Sequence, residues 1–110
     1  MTSEIGRYDP NAWGLRNMIG NAAEWTLSNY QPYPYLDTDG RNNLKTDVMK
    51  TVRGGSWFDR PIHTSAAARL PYRPWQAVYN VGFRVVMSAD GQPNITATGA
   101  GQPATAVSTR

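Results

Sequence analysis

The stretch Asn11-Ala12-Trp13-Gly14-Leu15-Arg16-Asn17-Met18-Ile19-Gly20-Asn21-Ala22-Ala23-Glu24-Trp25 decides how the rest of this chain is read. Asn17 and Glu24 offer side-chain oxygens, and Gly20 permits a tight backbone turn that aims carbonyls inward. Hard oxygens of these kinds are what Ca²⁺ takes, roughly six to eight at a time, with water filling the remaining positions. A second arrangement fits the same residues: Asn17 caps a turn and Glu24 pairs with an arginine. After Gly20, the run Asn21-Ala22-Ala23-Glu24-Trp25-Thr26-Leu27 carries the chain's one helical signal. It predicts a turn or two of helix, stopped by Asn29, Pro32 and Pro34.

Downstream, turn chemistry takes over. Gln31 to Lys50 holds Pro-Tyr-Pro-Tyr, then Asp37-Thr38-Asp39-Gly40 and Asn42-Asn43, which predicts a long surface excursion. Strands are predicted at Lys50 to Trp57, broken by Gly54-Gly55, at Thr64 to Leu70, and at Gly82 to Met87, where Phe83, Val85 and Met87 alternate with their neighbours. Pro71 to Trp75 reads as another irregular loop. Gly54 and Gly55 between a strand and Trp57 predict a bulge, or backbone packed against an aromatic plane. Arg69 and Arg84 sit in otherwise apolar stretches. A buried guanidinium needs a carboxylate, carbonyls or an aromatic face, and Glu24 and Asp59 are the nearest acids in kind.

The whole chain of 110 residues and 12.2 kDa has room for one domain. Hydrophobic residues make up 40% and charged residues 17%, with ten Gly and eight Pro, which points to a loop-rich globular domain of low regular structure. There is no cysteine, so disulfides, thiolate nucleophiles and thiolate-held metals are excluded. The net charge of +3 comes without a basic block, which argues against nucleic acid as a partner. Nine arginines against two lysines point to guanidinium groups used as internal ties. No apolar run is long enough for direct membrane insertion. From Ala89 to Arg110 aromatic residues cease and Gly-Gln-Pro appears twice, so 89–110 reads as a flexible tail or linker and 1–88 as the folded unit.

Taken together, Asn11-Ala12-Trp13-Gly14-Leu15, Gly20-Asn21-Ala22-Ala23-Glu24-Trp25-Thr26, Arg53-Gly54-Gly55-Ser56-Trp57, Arg69 and Gly82-Phe83-Arg84 resemble the C-terminal half of the formylglycine-generating-enzyme domain, the family of sulfatase-modifying factors. The resemblance implies an α+β, C-type-lectin-like variant fold poor in regular structure. It further implies a structural Ca²⁺ held by the Asn17 side chain, the Gly20 and Ala22 carbonyls and the Glu24 side chain. Arg53, Gly54, Gly55, Trp57, Arg69, Gly82 and Arg84 are the corresponding structural positions. It slightly favours an extracytoplasmic setting.

Family catalysts carry a copper-binding cysteine pair just after the Gly-Gly-Ser-aromatic element, where this sequence reads Phe58-Asp59-Arg60-Pro61-Ile62-His63-Thr64. Hydroxyl and carboxylate groups do not replace soft thiolates for Cu(I). Family domains also begin with a substantial N-terminal half, so faces that pack on such a half are expected to meet another chain. The expectation is a non-catalytic binding or structural module docking onto a partner protein, with Tyr33, Tyr35, Tyr72, Trp75 and Tyr79 as partner-binding aromatics. Two alternatives stay open: the substrate-groove half of a split sulfatase-modifying or sulfoxide-synthase enzyme, and a variable ligand-binding protein on the same scaffold.

Overall fold

A computed structural model describes residues 1–87 and Ala89; the tail expected over 89–110 otherwise lies outside the described residues. Four strands form one sheet: β1 (Ala23–Asn29), β2 (Lys50–Arg53), β3 (Leu70–Tyr72) and β4 (Val81–Gly82), in the order β3-β2-β1-β4. β1 pairs antiparallel with β2 and parallel with β4, and β2 pairs antiparallel with β3. One 3₁₀ turn, Pro61–His63, is the helical element among the described residues. The α+β expectation is corrected to a mostly-sheet domain.

The predicted helix at Asn21 to Leu27 is strand β1 instead. Gly20 and Asn21 both have positive φ, 78° and 63°, a conformation that cannot open a right-handed helix. From Ala23 onward β1 gains a hydrogen-bonded neighbour on each side, and the Thr26 hydroxyl donates to the Thr51 carbonyl at 2.9 Å. Two ladders outweigh a local preference that spans barely two turns. Register then shifts within β1: Trp25 faces Val52 but Asn29 faces Lys50, so four steps along β1 oppose two along β2. The resulting bulge delivers Asn29 to the loop that follows.

Other strand boundaries also move. β2 stops at Arg53, and β3 begins where the predicted Thr64–Leu70 strand was to end. It includes Pro71, opposite Thr51. A proline is tolerated there because β3 is the sheet edge and its missing N–H costs no ladder bond on the open side. Past Gly82, Phe83 to Met87 is not strand, since no neighbour pairs it among the described residues.

The core is small. Among the described residues the buried apolar side chains are Ala23 and Val52, and a row of Trp25, Val52 and Leu70 runs across three strands. Trp25 meets Tyr72 edge to face, with centroids 6.2 Å apart. No helix among the described residues is long and apolar enough to cross a membrane.

Gly54 and Gly55 work by backbone, with φ of 87° and 63°. A Cβ on Gly55 would lie 2.6 Å from the Thr64 methyl and 3.0 Å from the His63 carbonyl oxygen, so the close partner is the His63–Thr64 backbone rather than an aromatic plane. Gly55→Ala combines a left-handed conformation with a collision against main chain. It should lower unfolding free energy by about 3–4 kcal/mol in urea denaturation, against about 1–2 kcal/mol for Gly6→Ala, which shares a left-handed φ of 86° but whose Cβ position is open.

Candidate functional site

The first turn of the site is set by three positive-φ backbones within five residues: Asn17 at φ 56°, Gly20 at 78° and Asn21 at 63°. Asn21 fastens the N-terminal segment by accepting from the Ser3 amide at 2.7 Å, and its own carbonyl takes the Trp57 amide. The Gly20 amide donates to the Gly54 carbonyl at 2.9 Å, which locks the loop to the end of β2.

Behind this loop lies a cavity of about 390 Å³ whose walls include Asn17, Ala22, Glu24, Gly82 and Arg84. Three of the four expected calcium ligands therefore share one cavity, while Gly20 sits outside its lining. Glu24 comes from β1, and its carboxylate takes both Nε and Nη2 of Arg84 at 2.7–3.1 Å. The same Nη2 also donates to the Arg16 carbonyl at 2.8 Å and the Asn17 carbonyl at 3.4 Å. This is the arginine-pairing arrangement that the sequence left open, and the Glu24 hydrogen bonds push the Arg84 pKa up.

The Asn17 amide is different. Its Oδ1 and Nδ2 are both buried with no hydrogen-bond partner among the described residues. An orphaned amide oxygen beside a carboxylate and a wall residue's carbonyl suits a hard cation, and a carboxylate has lone pairs enough to accept two N–H groups and still bind a metal. The Asn17 amide oxygen and the Glu24 carboxylate are donors of the kind Ca²⁺ takes.

Asp59 does not pair with an arginine: its Oδ2 accepts the Ser56 amide at 2.7 Å and the Ser56 hydroxyl at 2.5 Å, closing the turn after the glycines. Ser56 in turn accepts from Asn80 at 2.8 Å. Arg69 donates to the Gln31 carbonyl and lies over the rings of Tyr33 and Tyr30, 3.7 and 5.2 Å from their centroids. Arg53 donates to the Ala66 carbonyl at 2.7 Å.

Two hubs were missed from sequence. Arg41 is 3% exposed and ties the Pro32, Pro34 and Leu36 carbonyls to the Asp39 carboxylate, with Tyr35 under its guanidinium. Its hydrogen bonds hold the Asp39 pKa below the ordinary carboxylate value. Asn29, delivered by the bulge, donates to the Gly40 and Asn43 carbonyls and the Thr46 hydroxyl. Together they shape the loop that presents Tyr33 and Tyr35.

The partner-binding aromatics divide. Tyr33, Tyr35, Trp75 and Tyr79 are exposed, while Tyr72 is half-buried against Trp25. Tyr79 joins Trp57 and Phe58 in a trio of edge-to-face rings with centroids 5.6–6.4 Å apart; Phe58 had no sequence signal beyond its type.

A sheet domain whose loops are tied by arginines, with a glycine pair closing against the neighbouring turn, is the class these observations define. Residues 1–89 match the sulfatase-modifying factor enzyme 1-like domain, and the chain belongs to that family. It is 33% identical over 97 residues to the formylglycine-generating enzyme of Mycobacterium tuberculosis, a match spanning 77% of this chain and 32% of that protein. It is also 33% identical over 97 residues to the inactive C-alpha-formylglycine-generating enzyme 2 of Mus musculus, across 83% of this chain and 27% of the relative. Among solved structures, Treponema denticola variable protein 1 superposes with a TM-score of 0.63 at 26% identity, over 74% of this chain and 30% of that one. The chain spans about a third or less of the curated relatives it matches.

Glu24 has no hydrogen-bond donor other than Arg84 among the described residues, whereas Arg84 retains two carbonyls. In chelator, Arg84→Leu should therefore cost about 2–3 kcal/mol and Glu24→Gln about 1–2 kcal/mol by urea denaturation, because the first strands a carboxylate.

Proposed function

We propose that this chain is a non-catalytic binding module of C-type-lectin-like fold, braced by Ca²⁺, that docks onto another protein chain. One observation carries the docking. A groove of about 570 Å³ runs beside β1, lined by Met18, Trp25, Leu27, Phe83 and Val86, and Phe83 and Val86 are 78% and 77% exposed. With Ala23 and Val52 as the buried apolar side chains among the described residues, more large apolar surface faces water than faces the interior. Contiguous apolar surface of this kind marks an interaction site. The lining sets the kind of partner: a second polypeptide offering an apolar surface to the Met18, Trp25, Leu27, Phe83 and Val86 side chains.

Two facts support a non-catalytic role. The sequence holds no cysteine, so no thiolate is available for metal or oxidant chemistry. Two relatives, from Mus musculus and Bos taurus, carry the word inactive in their names. Exposed Tyr33, Tyr35, Trp75 and Tyr79 add rigid aromatic contacts around the docking face.

The Ca²⁺ assignment rests on the orphaned Asn17 amide, with Glu24 and the Gly20 and Ala22 carbonyls as the remaining ligands. When bound, the ion supplies charge and cross-links the 17–22 loop to β1. A ligand that binds only the folded state stabilises it by mass action, about 2.7 kcal/mol at a hundredfold excess over Kd. Differential scanning fluorimetry should show a Tm several degrees higher in calcium chloride than in chelator for the parent protein, with the difference lost in Asn17→Ala. Equal melting of the parent in both conditions removes the site.

For docking, a photo-crosslinking amino acid placed at Phe83 in the source cells should join this chain to a second polypeptide, while the same probe at exposed Lys45 should not. Absence of adducts at Phe83, or equal adducts at both positions, overturns the assignment.

A further inference from the structure

Exposed Arg53 and half-buried Arg69, the latter stacked on two tyrosine rings, meet at one small pocket without a carboxylate partner among the described residues. Among the described residues the ion pairs are Arg41–Asp39 and Arg84–Glu24. Arg53 stands directly opposite Glu24 in the β1–β2 ladder, yet the Glu24 carboxylate goes to Arg84. Arg53 is left with the Ala66 carbonyl at 2.7 Å and a long contact of 3.5 Å to the Tyr33 hydroxyl. Arg69 spends Nη1 on the Gln31 carbonyl at 2.6 Å. A guanidinium has five N–H donors, so most of those on Arg53 and Arg69 have no acceptor among the described residues.

Both line a pocket of about 90 Å³ under the Tyr33–Tyr35 loop, together with Thr26, Ser28 and Thr51 of β1 and β2, and no acidic residue lines it. Thr26 and Thr51 commit their hydroxyls to backbone carbonyls, whereas the Ser28 hydroxyl makes no hydrogen bond among the described groups. The walls are therefore rich in donors and poor in acceptors. The frame is also fixed in advance: Arg41 and Asn29 hold the covering loop, and Tyr33 is clamped between the Arg69 guanidinium on its face and the Ala67 carbonyl on its hydroxyl.

We propose that this pocket binds a carboxylate group, held between the Arg53 and Arg69 guanidinium planes with the Ser28 hydroxyl as a third donor. The size and charge select the ligand. At about 90 Å³ the pocket is far smaller than the grooves of about 570 and 390 Å³ on either side of Glu24, and it suits a small planar head group rather than an extended ligand. Planar forks match carboxylate geometry, and the single negative charge leaves the pocket with positive charge to spare rather than displacing the carbonyl contacts that position each arginine. The site is separate from the Asn17–Glu24 cavity and shares no lining residue with it.

The test uses the whole chain with ¹⁵N-labelled arginine, titrated with sodium acetate and, separately, with sodium phosphate at constant ionic strength. Arg53 and Arg69 Nε resonances should shift saturably with acetate while Arg7 does not, and Arg53→Gln should weaken the response of Arg69 at least tenfold. Arg53→Lys, which keeps the charge but loses the fork, should retain an intermediate affinity, and an unchanged amide spectrum in either variant shows that folding is preserved. If Arg53→Gln unfolds the chain, Ser28→Ala serves instead and should weaken acetate several-fold. Tighter binding of phosphate than acetate overturns the carboxylate class. Absence of a saturable shift, or equal shifts at Arg7, overturns the site.

Discussion

One ion pair holds this fold in register. Glu24 and Arg84 lie 60 positions apart in sequence and meet at 2.7 Å, where the same guanidinium also reaches the Arg16 and Asn17 carbonyls. The fork joins β1, the segment after β4 and the loop before β1 at one point. With so little apolar surface buried, hydrophobic burial alone would leave those three pieces weakly ordered. Side-chain exposure of 29% for Arg84 and 25% for Glu24 leaves the pair shielded enough to direct structure yet wet enough to avoid the full cost of desolvation.

The same device recurs around the sheet. Arg41 gathers three carbonyls and a carboxylate, Arg69 takes a carbonyl and two aromatic faces, and Arg53 takes a carbonyl from the turn before β3. In each case a loop without secondary structure has its carbonyls satisfied by a guanidinium in place of a ladder. Arginine-rich, lysine-poor composition is the sequence trace of that economy, since a lysine ammonium offers no planar fork to span several acceptors. The arrangement also explains how a chain with short strands presents exposed aromatics in fixed positions: Tyr33 and Tyr35 stand on a loop tied from below.

Much of the architecture was legible. The glycine pair, the role of internal arginines and the family itself follow from residues that tolerate few substitutes, because positive φ with close backbone approach requires glycine and an apolar stretch containing arginine requires a partner. Strand β1 was not legible, since Ala-Ala-Glu-Trp satisfies a helical turn locally and pairing on both sides appears only once β2 and β4 arrive. Arg41 and Asn29 escaped notice for a related reason. Their partners are mainly backbone carbonyls, which every residue owns and no sequence pattern advertises.

The amino-acid sequence by itself determined the family, the absence of thiolate chemistry and the need for buried cations to find oxygen, because these are properties of residue type and order. Which oxygen each cation found was decided by tertiary structure. Glu24 faces Arg53 across the ladder but bonds Arg84, and Asp59 turns back to Ser56, since the distance between folded segments, not separation along the chain, sets which charges can meet.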